Sequence, residues 1–189
     1  MDYAKMSELH YGLSKKPTKK QIKNLEKEFD GYKVNDKSDH NVLGMYNEEK
    51  KHLHINHRGT SKTEDIFSDL LHLHQMGNLD PQSDSRRKQT KEMIKDYPND
   101  TKVSLSGHSY GGATILDALE KSPSLDKHID EVHLYNPLIA KLHKKNDKVT
   151  IHRTPYDIVS LIPTENKTMT HETKFINPLE AHHLHHFYK

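Results

Sequence analysis

A serine flanked by glycines lies at the point where a strand pattern changes into a helix pattern. Residues 101–106 alternate polar and apolar side chains, and residues 110–120 carry apolar side chains on one helical face. Between them, residues 107–112 read G-H-S-Y-G-G. A serine in a G-x-S-x-G sequence sits on a tight strand-to-helix turn, where a Cβ on the glycines would clash with neighbouring backbone. The pattern predicts Ser109 as a nucleophile on such a turn; the alternative is a glycine-rich turn without chemistry.

The rest of the chain repeats this alternation of strands and helices. Further strand patterns lie at residues 41–47, 51–57, 131–135 and 148–152. Further helix patterns lie at residues 15–29, 63–74 and 86–97, with a short final helix at 178–188. Strands that alternate with helices predict an α/β fold, with a mostly parallel central sheet covered by helices on both faces. A length of 189 residues suits one domain, 1–189, in which residues 1–39 form a helical N-terminal extension.

Composition excludes several classes of site and partner. The absence of cysteine excludes disulfides, thiolate zinc sites and cysteine nucleophiles. A net charge of +2 is too balanced for a nucleic-acid-binding protein. No apolar run reaches the roughly 18 residues of a membrane span and no signal-peptide pattern is visible, so we expect a soluble protein of the cytoplasm or of a non-secreted particle. The 17 histidines are unusual, and we expect most of them at the surface.

A serine nucleophile needs a base and a carboxylate that orients the base. In proteins with this kind of turn, the carboxylate follows the serine in the chain and precedes the histidine. Asp157 follows the strand pattern at 148–152, at the end of the sheet where α/β proteins bind their ligands. Asp157 as a helix N-cap is the alternative, and Asp147 or Asp130 would then supply the carboxylate.

The base should follow Asp157 in the chain. His171 falls in a segment that we expect to be an exposed hairpin strand, so the histidines of residues 181–187 are the better candidates. Those histidines could also form an adventitious metal-binding tract. Because no acidic partner or H-E-x-x-H pattern accompanies them, we predict no functional metal site.

Two backbone N–H groups would have to bind the developing oxyanion. One belongs to the residue after the nucleophile, here Tyr110, and the other to a loop after an earlier strand. The sequence Arg58-Gly59-Thr60 directly follows the strand pattern at 51–57. Gly59 allows a tight turn there, so Thr60 is the second predicted donor.

Four segments, in this order, resemble the class 3 lipases, an α/β-hydrolase family that includes the fungal triacylglycerol lipases. Residues 57–61, H-R-G-T-S, resemble the family's R-G-[ST] oxyanion segment. Residues 106–113 are similar to its G-H-S-L-G-G-A turn, with Tyr110 in place of leucine. Residues 157–163, D-I-V-S-L-I-P, resemble the segment that begins with the triad aspartate, and residues 181–187 resemble the terminal histidine segment.

The resemblance implies a compact α/β-hydrolase fold and ester hydrolysis through an acyl-enzyme, on lipid-like substrates and without a cofactor. It implies a catalytic triad and two oxyanion-hole donors: Ser109, Asp157 and His182, with Thr60 and Tyr110. His182 ranks first as the base because Leu184 and Phe187 then align with apolar positions of the family. His183 is the alternative, since a shift of one residue keeps Leu184 adjacent.

The resemblance also implies a lid, and it leaves other functions open. Residues 63–74 follow the oxyanion loop where the family carries a lid helix, so we expect them to cover the site and contact lipid surfaces transiently; core packing is the alternative. The chain is short for the family and lacks the signal segment and disulfides of its extracellular members. The alternative functions are a catalytically silent lipase-like binding module and a histidine-rich metal-binding or structural component of a particle.

Overall fold

The part of the chain that the structure describes contains one sheet of seven strands, in the order β1 to β7. The computed structural model describes residues 1–60, 81–139, 143–155, 157, 164–171 and 181–187. The strands are Tyr32–Val34, Val42–Asn47, His52–His57, Lys102–His108, Glu131–Tyr135, Val149–Arg153 and Lys167–Thr170. The first three pair in antiparallel fashion, and β3 to β7 pair in parallel. The expected mostly parallel α/β fold is confirmed.

Helices cover both faces of this sheet. Those in the described residues are α1 (Tyr3–Tyr11), α2 (Lys19–Glu28), α3 (Pro81–Ile94), α4 (Tyr110–Lys121), α5 (Pro123–Asp126) and a 3₁₀ turn (Leu184–His186). Helix α3 begins earlier than the predicted residue 86, because proline is well tolerated in the first turn of a helix. Within the residues that the structure describes, every helix is too short or too polar to cross a membrane.

The two faces of the sheet differ in chemistry. One face is apolar and packs against α3 and α4; its strand residues are Leu53, Ile55, Val103, Leu105, Val132, Leu134, Val149 and Ile151. The opposite face carries the alternate residues, which are mainly histidine and serine, and lies beneath α1. This polar layer comprises His52, His54, Asn56, Ser104, Ser106, His108, His133 and His152. A parallel strand buried on both sides usually reads as a continuous apolar run, so the period-2 alternation here marks an unusual interior.

Only three of the 15 described histidines are fully exposed, so the expectation that most would lie at the surface is wrong. The buried ones are His10, His54, His57, His108, His143, His152 and His182. The His54 ring nitrogens lie 2.6 Å from Ser104 Oγ and 2.8 Å from Ser106 Oγ. A neutral imidazole with both nitrogens hydrogen-bonded can be buried at little cost, which explains the departure.

Residues 1–39, expected to form a helical N-terminal extension, contain helices α1 and α2 and also strand β1. Strand β1 follows α2 and pairs with β2, from Tyr32 opposite Asn47 to Val34 opposite Met45. Helix α2 starts with a capping box between Thr18 and Gln21. The segment therefore extends the sheet at its edge.

Strand β7 departs from the expected hairpin around His171. It is exposed along its whole length, as expected, but it pairs in parallel with β6. His171 follows its last residue and donates its backbone N–H to Arg153 O at 2.7 Å. A parallel neighbour requires a crossover connection rather than a tight turn, so no β6–β7 hairpin exists.

Candidate active site

Ser109 occupies a strained turn between β4 and α4. Its φ of +53° and ψ of −125° are rarely adopted by a residue with a side chain. A Cβ on Gly107 would lie 2.8 Å from the Gly111 carbonyl carbon, and one on Gly111 would lie 2.1 Å from His57 O. Only glycine therefore fits at these two positions, and the predicted strand–turn–helix unit is present.

Main-chain hydrogen bonds join this turn to the end of the neighbouring strand. The Ser109 N–H donates to Tyr135 O at 3.1 Å, and Ser109 O accepts from the Leu138 N–H at 3.0 Å. Both bonds lead to β5 or to the residues directly after it, so the strained turn is held at the carboxyl end of a parallel strand, where open α/β sheets carry their ligands.

Asp157 and His182 meet in the interior at this end of the sheet. His182 Nδ1 lies 2.9 Å from Asp157 Oδ1, and both residues are buried. A carboxylate at Nδ1 favours the tautomer with its proton on that nitrogen, and Nε2 is then an acceptor. Among the described residues, neither His182 Nε2 nor the buried Ser109 Oγ has a hydrogen-bond partner.

The chain leading into His182 is anchored to two further strand ends. Ala181 O accepts hydrogen bonds from Asn136 Nδ2 at 2.9 Å and from Thr154 Oγ1 at 2.5 Å. Asn136 follows β5 with a φ of +40°, and its Oδ1 accepts from the Thr154 N–H at 3.1 Å. These contacts fix the backbone directly before the imidazole.

The alternative site residues lie elsewhere. Asp130 accepts from the Val103 N–H at 2.7 Å, which places it at the opposite end of β4. The Asp147 side chain is 87% exposed. His183 is also exposed and its ring stacks on His185. In the described parts of the chain, no three metal-ligating side chains are grouped so that they could hold an ion.

The predicted oxyanion loop passes directly over the serine turn. A Cβ on Gly59 would lie 2.6 Å from His108 O and 3.1 Å from Ser109 Cβ, so the residue before Thr60 is packed against the turn. Arg86 of α3 donates to Arg58 O at 2.5 Å, and its guanidinium carbon lies 5.3 Å from the centre of the Tyr110 ring. One buried side chain from α3 thus holds the loop and contacts the residue after Ser109.

The segments expected to form the lid lie outside the described residues. This applies to residues 63–74 and to Ser61, the last residue of the family-like segment 57–61.

Sequence reasoning missed two residues that contact the site. The Tyr11 hydroxyl lies 2.7 Å from His108 Nδ1, and His108 Nε2 lies 2.7 Å from His182 O. His108 could have been noticed, because it occupies the variable position before the serine in G-x-S-x-G. Nothing in the local sequence around Tyr11 indicates its contact.

No protein-family model matches the chain, and no curated protein matches it in sequence. Three solved fungal lipases are similar in structure. The lipase–propeptide complex of Rhizomucor miehei is 14% identical with a TM-score of 0.42, and the alignment covers 84% of this chain and 63% of that one. A lipase from Rhizopus microsporus var. chinensis is 16% identical with a TM-score of 0.45 and coverage of 85% and 69%. Lipase II from Rhizopus niveus is 16% identical with a TM-score of 0.43 and coverage of 85% and 74%.

Proposed function

We propose that the protein is a serine hydrolase that cleaves carboxylic esters through an acyl-enzyme. The observation that carries the proposal is the buried hydrogen bond between Asp157 and His182 at the end of the sheet that also holds the strained Ser109. Both Ser109 Oγ and His182 Nε2 are buried and without a partner among the described residues. Buried polar atoms are normally hydrogen-bonded, so two such atoms at one end of a sheet support a reactive role.

Acylation begins with proton transfer from the Ser109 hydroxyl to His182 Nε2. Hydrogen bonds between catalytic groups are often long in unliganded enzymes and tighten when substrate binds. The oxygen attacks the ester carbonyl, while Asp157 holds the proton on Nδ1 and stabilises the imidazolium. The backbone N–H groups of Thr60 and Tyr110 bind the developing oxyanion.

The tetrahedral intermediate collapses when the imidazolium returns its proton. The Nε2 proton goes to the leaving alcohol oxygen, the ester C–O bond breaks, and the acyl group stays on Ser109. His182 then takes a proton from water, and the hydroxide equivalent attacks the acyl carbonyl. The second collapse transfers the proton back to Ser109 Oγ and releases the carboxylic acid.

Lipid esters are the proposed substrate class. The support is the resemblance of the residues around Thr60, Ser109, Asp157 and His182 to class 3 lipases. Transient contact with a lipid surface through residues 63–74 belongs to the same proposal.

Active-site labelling tests the proposal. A fluorophosphonate probe should attach to Ser109, at a position fixed by mass spectrometry of the digested protein. Ser109→Ala should abolish labelling, whereas Ser124→Ala, at an exposed serine of α5, should leave it unchanged. Absence of labelling in the folded wild type would contradict the proposal and favour a catalytically silent binding module. If Ser109 is labelled, a series of nitrophenyl esters of increasing acyl length would define the acyl-chain length that the protein prefers.

A further inference from the structure

Two hydrogen bonds in series connect the last residue of α1 to the main chain of His182. The Tyr11 hydroxyl lies 2.7 Å from His108 Nδ1, and His108 Nε2 lies 2.7 Å from His182 O. The His108 and His182 rings are also neighbours, with centroids 4.7 Å apart. His108 therefore lies between a tyrosine of the N-terminal helix and the backbone of the proposed base.

The chemistry of the acceptors fixes the direction of both bonds. A carbonyl oxygen cannot donate, so His108 Nε2 carries a proton and donates it to His182 O. Burial, reinforced by the neighbouring His182, holds the pKa of His108 well below its usual value, so its ring is neutral and Nδ1 has a lone pair. The Tyr11 hydroxyl consequently donates to Nδ1. Burial raises the Tyr11 pKa, so the phenol keeps the proton that this bond requires.

The same hydroxyl also contacts the loop of the proposed oxyanion hole. A Cβ on Gly59 would lie 2.3 Å from the Tyr11 hydroxyl oxygen, and the charge of Arg58 together with a backbone hydrogen bond from Gly59 partly offsets the rise in the Tyr11 pKa. Arg58 donates to Tyr11 O at 3.4 Å, and its guanidinium carbon lies 5.9 Å from the centre of the phenol ring. Tyr11 thus touches the Arg58–Gly59 loop on one side and reaches His182 through His108 on the other.

Helix α1 is fixed on the sheet by polar and ring contacts, so it can position the residues that are bonded to it. Ser7 Oγ donates to Asn56 Oδ1 at 2.6 Å, and the Tyr3 ring stacks on His54 with centroids 4.2 Å apart. Hydrogen bonds are directional, so these contacts allow α1 less sliding along the sheet than apolar packing would.

We propose that Tyr11 is a positioning residue for ester hydrolysis, which sets the backbone of His182 relative to Ser109 and the Gly59 loop through His108. This inference rests on the proposed function. Removing the hydroxyl leaves His108 Nδ1 without its donor, so the ring can change tautomer or orientation and release His182 O. Displacements of about 1 Å among reacting groups cost up to about a hundredfold in rate.

Tyr11→Phe tests the role because it removes only the hydroxyl. The matched control is Tyr32→Phe: the Tyr32 hydroxyl also lies 2.7 Å from a histidine Nδ1, that of His52, but at a position remote from Ser109. With a short soluble nitrophenyl ester, Tyr11→Phe should lower kcat by about tenfold or more and leave KM within about twofold. Tyr32→Phe should leave both constants unchanged, although it loses the same kind of bond.

A second variant separates a positioning effect from general damage to the fold. His108→Asn interrupts the series at its middle, so the double variant Tyr11→Phe/His108→Asn should be no slower than His108→Asn alone. If Tyr11→Phe does not fold, His108→Asn alone carries the test, with the same expected fall in kcat.

The outcomes distinguish this inference from the proposed function. A wild type that neither hydrolyses esters nor reacts with the fluorophosphonate overturns both. An active wild type with an unchanged kcat in Tyr11→Phe overturns the positioning role alone. Equal losses of kcat in Tyr11→Phe and Tyr32→Phe, or additive losses in the double variant, also overturn it.

Discussion

Acidification from pH 7 to pH 5 should destabilise the protein strongly, because neutral histidines are buried in its core. Burial lowers the pKa of His10 to about 3. Burial, together with the neighbouring His133 and His171, lowers the pKa of His152 to about 3. In an unfolded chain a histidine has a pKa near 6.5, so below that pH the unfolded state binds protons that the folded state does not.

The size of the stability loss follows from the difference between the histidine pKa in the folded state and in the unfolded state. The contribution of each ring to the free energy of unfolding is fully present above about pH 6.5 and declines as the pH falls towards 3. At pH 5 the contribution of each of the two histidines to the free energy of unfolding has fallen by about 2 kcal/mol, which is about 4 kcal/mol together. The pKa values of His54, His57 and His108 are also lowered by burial, and their effect has the same sign. Domains are typically stable by about 5–15 kcal/mol, so the loss is a large part of the total.

Urea unfolding followed by circular dichroism at pH 7, 6 and 5 measures this loss. We expect the free energy of unfolding to fall by at least about 4 kcal/mol, with a decrease in Tm of about 10 °C or more. His10→Gln should reduce the loss by about 2 kcal/mol, whereas His128→Gln, at an exposed histidine, should leave it unchanged. Equal stability at pH 7 and pH 5 would refute the reasoning, because it would mean that the rings are protonated equally in both states.

Four other predictions concern the site. Ser109→Ala should lower kcat by several orders of magnitude while the far-ultraviolet spectrum stays unchanged; more than about a tenth of wild-type turnover would remove Ser109 from the mechanism. Asp157→Asn should be similarly defective, because the amide no longer holds the Nδ1 proton of the base, and a near-normal variant would exclude Asp157 as the orienting group. His182→Ala should abolish hydrolysis and His183→Ala should not; the reverse result would make His183 the base. Phe67→Ser should slow hydrolysis of long-chain or aggregated esters more than that of short ones, and equal slowing with a lower Tm would instead indicate a core residue.

Local sequence patterns predict the central part of the fold. The strand and helix on either side of Ser109 follow from the period of apolar residues, and the turn follows from the spacing of its glycines. Strand β1 could not be predicted in this way, because its three residues are too few to show a period. Strand β1 forms because it can pair with the edge of β2, and a local sequence pattern does not show that pairing.

The buried histidines could not be predicted, because their burial depends on partners that are distant in the sequence. His54 bonds Ser104 and Ser106 on the adjacent strand, 50 and 52 residues away. In the sequence alone, His52 and His54 alternate with apolar residues, which is typical of a strand that has one face in solvent. The sequence pattern identifies the two faces of β3 correctly, but it cannot show that α1 covers the polar one.

In the candidate site, too, one pairing could be expected from the sequence and another could not. The spatial pairing of Asp157 with a C-terminal histidine was expected from chain order and from the position of strand ends, and the two residues are only 25 positions apart. Tyr11 lies 97 residues before His108, in a helix that has no motif. Only the packing of α1 on the sheet brings its hydroxyl to the serine turn.

The polar layer beneath α1 gives a physical reason why activity should decline in acid before the sheet unfolds. The residues that hold α1 in register, among them Ser7 with Asn56 and Tyr3 with His54, belong to the same layer as His108. Protonation of these rings converts hydrogen-bond acceptors into donors and places like charges on adjacent strands. Helix α1 would lose its partners before the apolar face of the sheet is affected, and Tyr11 would leave with it. The proposed positioning role therefore predicts that kcat falls at a higher pH than the one at which the sheet itself unfolds.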